Sequence, residues 1–204
     1  MLRWGAAAYA LLSLILLAIS WWWLERLPFT HPDPWLSLAP GLAHAYSLLL
    51  GMAYAGAIVV GSRFSVSRFR WARRLHREFR PVAKQLSPTA IVWLSLLSAL
   101  GEELAFRGML QPAIGLPLQA LLFGLVHQMP GPSRWIWSGW ATLVGFGLGV
   151  IFELTGSLAG PVVAHAIVNG LNLSYLKHHD LARPEHSLGG LLRRQAPDPQ
   201  GARE

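Results

Sequence analysis

Glu102 and Glu103 stand side by side in a hydrophobic stretch, 91–110, whose only other charge is Arg107. A charged side chain at the bilayer centre costs about 2.5–3.5 kcal/mol on insertion scales, so charges in such a stretch mark a functional site by default. Read as a helix, Ser95, Ser98 and Glu102 share one face, while Glu103 and Arg107 form an i, i+4 pair on the adjacent face. That spacing divides the labour: Glu103 neutralises Arg107, and Glu102 faces a cavity as a general base. Two further apolar segments carry a histidine each. His127 follows Phe123 by four residues, and His165, Asn169 and Asn172 make a polar stripe at i, i+4, i+7.

Two carboxylates, two imidazoles and an amide, with no serine triad and no cysteine, suit hydrolysis by an activated water. Glu102 with His127 would deprotonate the water. His165 and Asn169 would donate to the oxyanion of a tetrahedral intermediate, where loss of one donor costs about a hundred- to a thousand-fold in rate. Glu102, His127 and His165 are also acceptable zinc ligands. The helical HExxH signature is missing, so zinc is an open cofactor at this point. Blander readings stand beside these: a histidine on an apolar helix often serves as a hydrogen-bonded structural residue, and an asparagine stripe also serves interhelical bonding.

The elements that must bring these groups together are membrane helices. With 53% hydrophobic and 13% charged residues, the chain reads as an all-α, polytopic transmembrane bundle of about six helices. They are expected at 4–24, 36–60, 87–110, 116–129, 135–154 and 157–176, the fourth being short and bracketed by Pro117, Pro130 and Pro132. The apolar run after Arg3 is kept as the first helix rather than a signal peptide, since it lacks a small-residue cleavage site. One domain spans 1–176, its motif-bearing core 87–176, followed by a polar, mobile tail at 177–204. Gly145 and Gly149 form a small-xxx-small packing pair. Trp21 to Trp23, Trp35, Trp135 and Trp137 fall at predicted helix ends, as interfacial anchors do.

The net charge of +7 is concentrated in one stretch: Arg63, Arg68, Arg70, Arg73, Arg74, Arg77, Arg80 and Lys84, opposed only by Glu78. Beside a membrane helix this reads as a basic cytoplasmic loop against anionic headgroups, with both termini cytoplasmic and the protein multi-pass in the cell membrane. A nucleic-acid partner is excluded, since no aromatic stacking platform accompanies the block.

The paired glutamate with a downstream arginine in GEELAFRG, the phenylalanine and histidine in FGLVH, and the histidine and asparagine closing TGSLAGPVVAHAIVN resemble the motifs of the CPBP family of intramembrane proteases. This is the CAAX-protease and bacteriocin-processing group related to the Rce1 prenyl-protein endopeptidase. The resemblance implies an intramembrane endopeptidase acting in or next to a membrane-anchored segment of a protein substrate. It makes Glu102 the general base with Glu103 beside it, His127 its partner, and His165 with Asn169 the oxyanion-stabilising pair. Arg107 and Phe123 give structural support. The family is described both as glutamic and as metal-dependent.

Orientation departs from prenyl-protein processing, because the arginine stretch sends the third helix outward and carries Glu102 towards the external face. A bacterial-type member that matures or sorts exported proteins is therefore expected. A non-catalytic immunity or scaffold protein is the alternative, and a proton-coupled transporter, for which no internal repeat is seen, a more distant one.

Overall fold

Proline at the first turn of four helices, where its missing N–H goes unneeded, fixes where much of the chain turns helical. The computed structural model describes residues 2–23, 25 and 27–181, leaving the side chains of residues 2–6 and 23 undescribed; the expected tail falls largely on 182–204, outside the described residues. In chain order the helices are α1 (Leu2–Trp23), α2 (Pro40–Arg68), α3 (Arg70–Lys84) and α4 (Pro88–Glu103). A π-helical segment (Leu104–Leu110) leads into α5 (Gln111–Ile114), α6 (Leu116–Val126), α7 (Arg134–Thr155) and α8 (Ala159–His178). Among the described residues there is no strand, only an isolated bridge between Thr30 and Ser157.

The architecture is an all-α helical membrane bundle. Pro40–Arg68, Pro88–Ile114 and Arg134–Thr155 are long and apolar enough to cross a membrane by length and composition. Of the other three expected spans, α6 with 11 residues is only about 16 Å long and α8 carries the His and Asn stripe, while the described side chains of α1 cover an apolar stretch at Ala7–Trp22.

The basic stretch is not a loop. α2 continues to Arg68, Phe69 alone is extended, and the block then forms α3. Ala72, His76 and Ala83 face inward while Arg70, Arg74, Arg77 and Lys84 face out, an amphipathic pattern that periodicity explains. α3 lies across the end of α8: His76 Nε2 pairs with the His179 carbonyl at 2.9 Å, Arg80 Nε donates to the same carbonyl at 3.0 Å, and Arg80 bridges Asp180 at 2.9 Å.

The core joins α2, α7 and α8 through Ala55, Ile58, Val144, Leu148, Ala164 and Val168. Close approach of α2 and α8 requires glycine on both sides, because a Cβ on Gly51 would lie 2.8 Å from the Gly160 Cα. Ser47 completes the seam, accepting from the Gly160 amide at 2.9 Å and donating to the Ser157 carbonyl at 2.7 Å. At the opposite end from α3, the segment after α1 is tied to the end of α7 by His31 to the Gly156 carbonyl (2.9 Å) and Trp35 to the Glu153 carbonyl (2.7 Å).

Trp21, Trp22, Trp35 and Trp135 are exposed. Trp137, expected among them, instead turns inward, 4.8 Å from the Phe79 ring and 6.1 Å from the His127 ring.

Candidate active site

The site begins with a local change of helix type. Pro112 has no N–H to offer the carbonyl of Gly108 and its ring crowds that carbonyl, so the regular i to i−4 pattern cannot run through this turn. The helix widens into the π segment just after Glu103, a device frequent at functional sites. Glu103, Arg107 and Gln111 still lie on one line facing α7. Arg107 is fully buried, its Nη1 2.9 Å from Glu103 Oε1 and its Nη2 donating to the Gly145 carbonyl at 2.8 Å. Gln111 repeats the contact one turn on, donating to the Gly149 carbonyl and to Glu153 Oε1, both at 3.0 Å. The residues at 145 and 149 must be small, since a Cβ on Gly145 would meet the Phe123 ring at 2.7 Å and the Arg107 guanidinium at 3.0 Å.

Glu103 has a second partner: His165 Nδ1 stands 2.7 Å from the oxygen that receives Arg107. A carboxylate oxygen accepts, so Nδ1 carries the proton and Nε2 is left to face the chamber. His127 is fixed in the same sense, its Nδ1 donating to the Phe123 carbonyl at 2.6 Å. Both free nitrogens approach Glu102 Oε2, His127 Nε2 at 3.4 Å and His165 Nε2 at 3.8 Å. When the rings are neutral, three acceptors therefore converge with no donor between them, and a water with two protons matches that demand. Phe123 holds the group together, with the Arg107 guanidinium 4.3 Å above its ring, His127 4.3 Å away and His165 5.9 Å away.

The structure thus brings Glu102, Glu103, Arg107, Phe123, His127 and His165 into one cluster. Asn169 reaches its edge, donating to Ser98 Oγ at 3.3 Å, whereas Asn172 is drawn off to Ser62 and Arg63. Glu102, His127 and His165 have zinc-type donors, yet among the described residues no three His, Asp or Glu side chains are disposed to hold a metal ion.

Tyr9 escaped the sequence reading. Its hydroxyl interacts with the Glu102 carboxylate from α1, and nothing in an apolar first helix announces that contact. Gln111 and Glu153 were missed too, although each extends a visible series at i, i+4, i+8, from Glu103 and from Gly145.

An apolar cavity of about 250 Å³ leads to the cluster. Phe123, His127, His165 and Asn169 line its deep end; Trp137, Trp140 and Val144 form the middle; Trp71, Leu75 and Phe79 roof it from α3. It therefore extends towards the arginine-rich face.

Fold and site together define an all-α membrane bundle with a buried glutamate, histidine and arginine cluster at the end of an apolar cavity. The family pattern described as type II CAAX prenyl endopeptidase Rce1-like matches residues 84–171, so the segment bearing the cluster is Rce1-like. The uncharacterized protein YpbD of Bacillus subtilis (strain 168) is 35% identical over 96 residues, 47% of this chain and 50% of that protein. The chain thus spans about half the length of this curated relative. No solved structure matches significantly. Tyr9, α3 and most of the cavity roof lie outside the matched segment.

Proposed function

We propose that the protein is an intramembrane endopeptidase that hydrolyses a peptide bond in or beside a membrane-anchored segment of a protein substrate. One observation carries this reading: Glu102 Oε2, His127 Nε2 and His165 Nε2 converge within 3.4 and 3.8 Å at the deep end of an apolar cavity wide enough for a peptide side chain or a lipid tail. The Rce1-like match over the same residues supports it.

The reaction follows from the acceptor geometry. Water bound between Glu102 and the histidines gives a proton to the Glu102–His127 pair as its oxygen attacks the substrate carbonyl. The tetrahedral oxyanion is met by the Asn169 amide and by His165, whose Nδ1–H is held by Glu103. The proton held by Glu102 and His127 passes to the leaving nitrogen as the C–N bond breaks. Glu103, shared between Arg107 and His165, sets the orientation of His165.

The cavity geometry favours entry from the face where α3 lies. By the positive-inside rule that face is cytoplasmic, so the substrate enters from the cytoplasmic side rather than the external side expected from chain direction alone. The outward row of Arg70, Arg74, Arg77 and Lys84 then rests on anionic headgroups in a multi-pass cell-membrane protein. Comparative membrane proteomics of cells carrying wild-type and Glu102→Ala forms tests the reading: full-length substrate should accumulate and its cleaved form vanish with Glu102→Ala. Identical proteomes would overturn it.

A further inference from the structure

His127 stands where α6 ends, and what fixes that end leads back to α3. The backbone leaves the helix at His127 (φ −81°, ψ 46°), and Ser133 then occupies the N-cap position of α7. The linker between them is stiff. Pro130 and Pro132 have their φ angles fixed by their rings, and Gly131 between them lies at φ +122°, a conformation other residues adopt only with strain. A stiff linker transmits position, so whatever fixes Ser133 also constrains His127.

Ser133 is fixed by a contact that replaces its usual one. A serine at an N-cap normally accepts from the backbone amides of the first turn, and Ser133 makes no such bond. It is fully buried and donates instead to Glu78 Oε1 of α3 at 2.9 Å, a hydrogen bond strengthened by the charge of its acceptor. Glu78 is the only carboxylate in α3, and its other oxygen is buried against Gly131, where an added Cβ would lie 3.3 Å away. The next residue of α3 repeats the bridge: Phe79 lies 4.8 Å from the Trp137 ring, one turn further along α7, and that ring faces His127 at 6.1 Å. Ser138 ties α7 to α6, donating at 2.6 Å to the Gly124 carbonyl that also receives the His127 amide at 3.2 Å. Thus α3 grips the first turns of α7, and those turns grip the last turn of α6.

Resting on the peptidase reading above, we propose that Glu78 is a positioning residue for His127, acting through Ser133 to hold the imidazole against Glu102. Glu78 takes no part in proton transfer; it sets where His127 Nε2 stands, and a displacement of about 1 Å there is worth about a hundredfold in rate. A basic helix lying almost wholly outside the Rce1-like segment, residues 84–171, is then required for turnover as well as for roofing the cavity.

The test compares wild type, Glu78→Ala, Glu78→Gln, Ser133→Ala and the double variant Glu78→Ala with Ser133→Ala. Each is the full chain in nanodiscs at equal folded concentration, acting on a fluorogenic peptide joined to a membrane-anchoring segment. Glu78→Ala and Ser133→Ala are each expected to lower kcat about ten- to a hundredfold with KM little changed. The double variant should be no worse than either single, since both remove the same contact. Glu78→Gln, still an acceptor for the Ser133 hydroxyl, should keep most of the activity. A second readout needs no turnover: in protein with isotope-labelled histidine rings, the NMR signal that His127→Ala removes should shift in Glu78→Ala and hold its place in Glu78→Gln. Losses that add in the double variant, an unmoved ring signal in Glu78→Ala, or Glu78→Gln as impaired as Glu78→Ala overturn the proposal. If the ring signal moves as expected but wild type does not cut the anchored peptide, the peptidase reading fails and the bracing of His127 stands. If wild type and Glu78→Ala cut equally well, the reading stands and the brace fails.

Discussion

His165 Nδ1 stands 2.7 Å from Glu103 Oε1, the same oxygen that accepts the Arg107 guanidinium at 2.9 Å. One carboxylate oxygen thereby orients a histidine on α8 and anchors an arginine that reaches α7. Positions 103 and 107, set four apart in sequence, pin three helices around the chamber.

Removing Arg107 should therefore damage stability and activity together. Glu103 and Arg107 are both 0% exposed, and breaking a buried pair by deleting one partner costs about 3–5 kcal/mol because the other charge is left uncompensated. Arg107→Leu is expected to lower the thermal midpoint in detergent clearly. Arg107→Leu combined with Glu103→Leu should recover much of the stability but not the activity, since His165 has then lost its partner. Equal midpoints for the single and double variants would contradict the pairing.

Gly145→Ala separates positioning from chemistry. Its new methyl group would press on Phe123 and the Arg107 guanidinium, and inserting a methylene-sized group into packed space costs about 1–3 kcal/mol. Displacing a catalytic group by about 1 Å can cost a hundredfold in rate. The expected outcome is a folded protein with kcat reduced by about that factor and KM little changed. Gly139→Ala, where a Cβ meets nothing within 4 Å, serves as the control that stays near wild type.

The anchoring of α3 should weaken in acid. Burial holds the His76 imidazole below its ordinary pKa of 6.5, with the Arg80 and Arg63 guanidinium groups and His179 also facing it and the His179 carbonyl bond opposing the shift. The folded state thus binds fewer protons than the unfolded state, so stability present above about pH 6.5 is lost as pH falls below it. The protection factors of the α3 amides, exchange rates corrected for the slower intrinsic exchange in acid, should fall between about pH 6.5 and pH 5. With His76→Gln that dependence should flatten; an unaltered profile would remove His76 as the cause.

Much of this site was legible before any coordinates, for a physical reason. Carboxylates and imidazoles are costly in apolar helices, so Glu102, Glu103, His127 and His165 stood out by expense alone, and helical spacing was enough to pair Glu103 with Arg107. What stayed hidden depended on contacts between distant segments. Tyr9 looks like any aromatic in an apolar helix until α1 packs on α4. Trp137 reads as an interfacial anchor until α3 folds over it, and α3 itself was obscured because a dense arginine run suggests a solvated loop although its Ala72, His76 and Phe79 recur at helical spacing. The π segment follows from Pro112, but its consequence for the preceding turn shows only once the helix is built.

The membrane face of the cavity is open to direct labelling, because the chain contains no native cysteine. A single cysteine at Arg77, exposed on the outer row of α3, should react with a membrane-impermeant maleimide in inside-out vesicles and be protected in right-side-out cells. Labelling from the external side would reverse the proposed direction of substrate entry while leaving the chemistry of the chamber intact.

The most direct test of the central claim is cleavage by purified protein in nanodiscs of a fluorogenic peptide joined to a membrane-anchoring segment, with wild type, Glu102→Gln and His127→Ala compared at equal folded concentration in the presence of a zinc chelator. The account predicts turnover by the wild type and a loss of about a hundred- to ten-thousand-fold in each variant, the span of general acid–base catalysis, with thermal midpoints little altered. Undiminished cleavage by Glu102→Gln would show that a water activated by Glu102 is not the nucleophile.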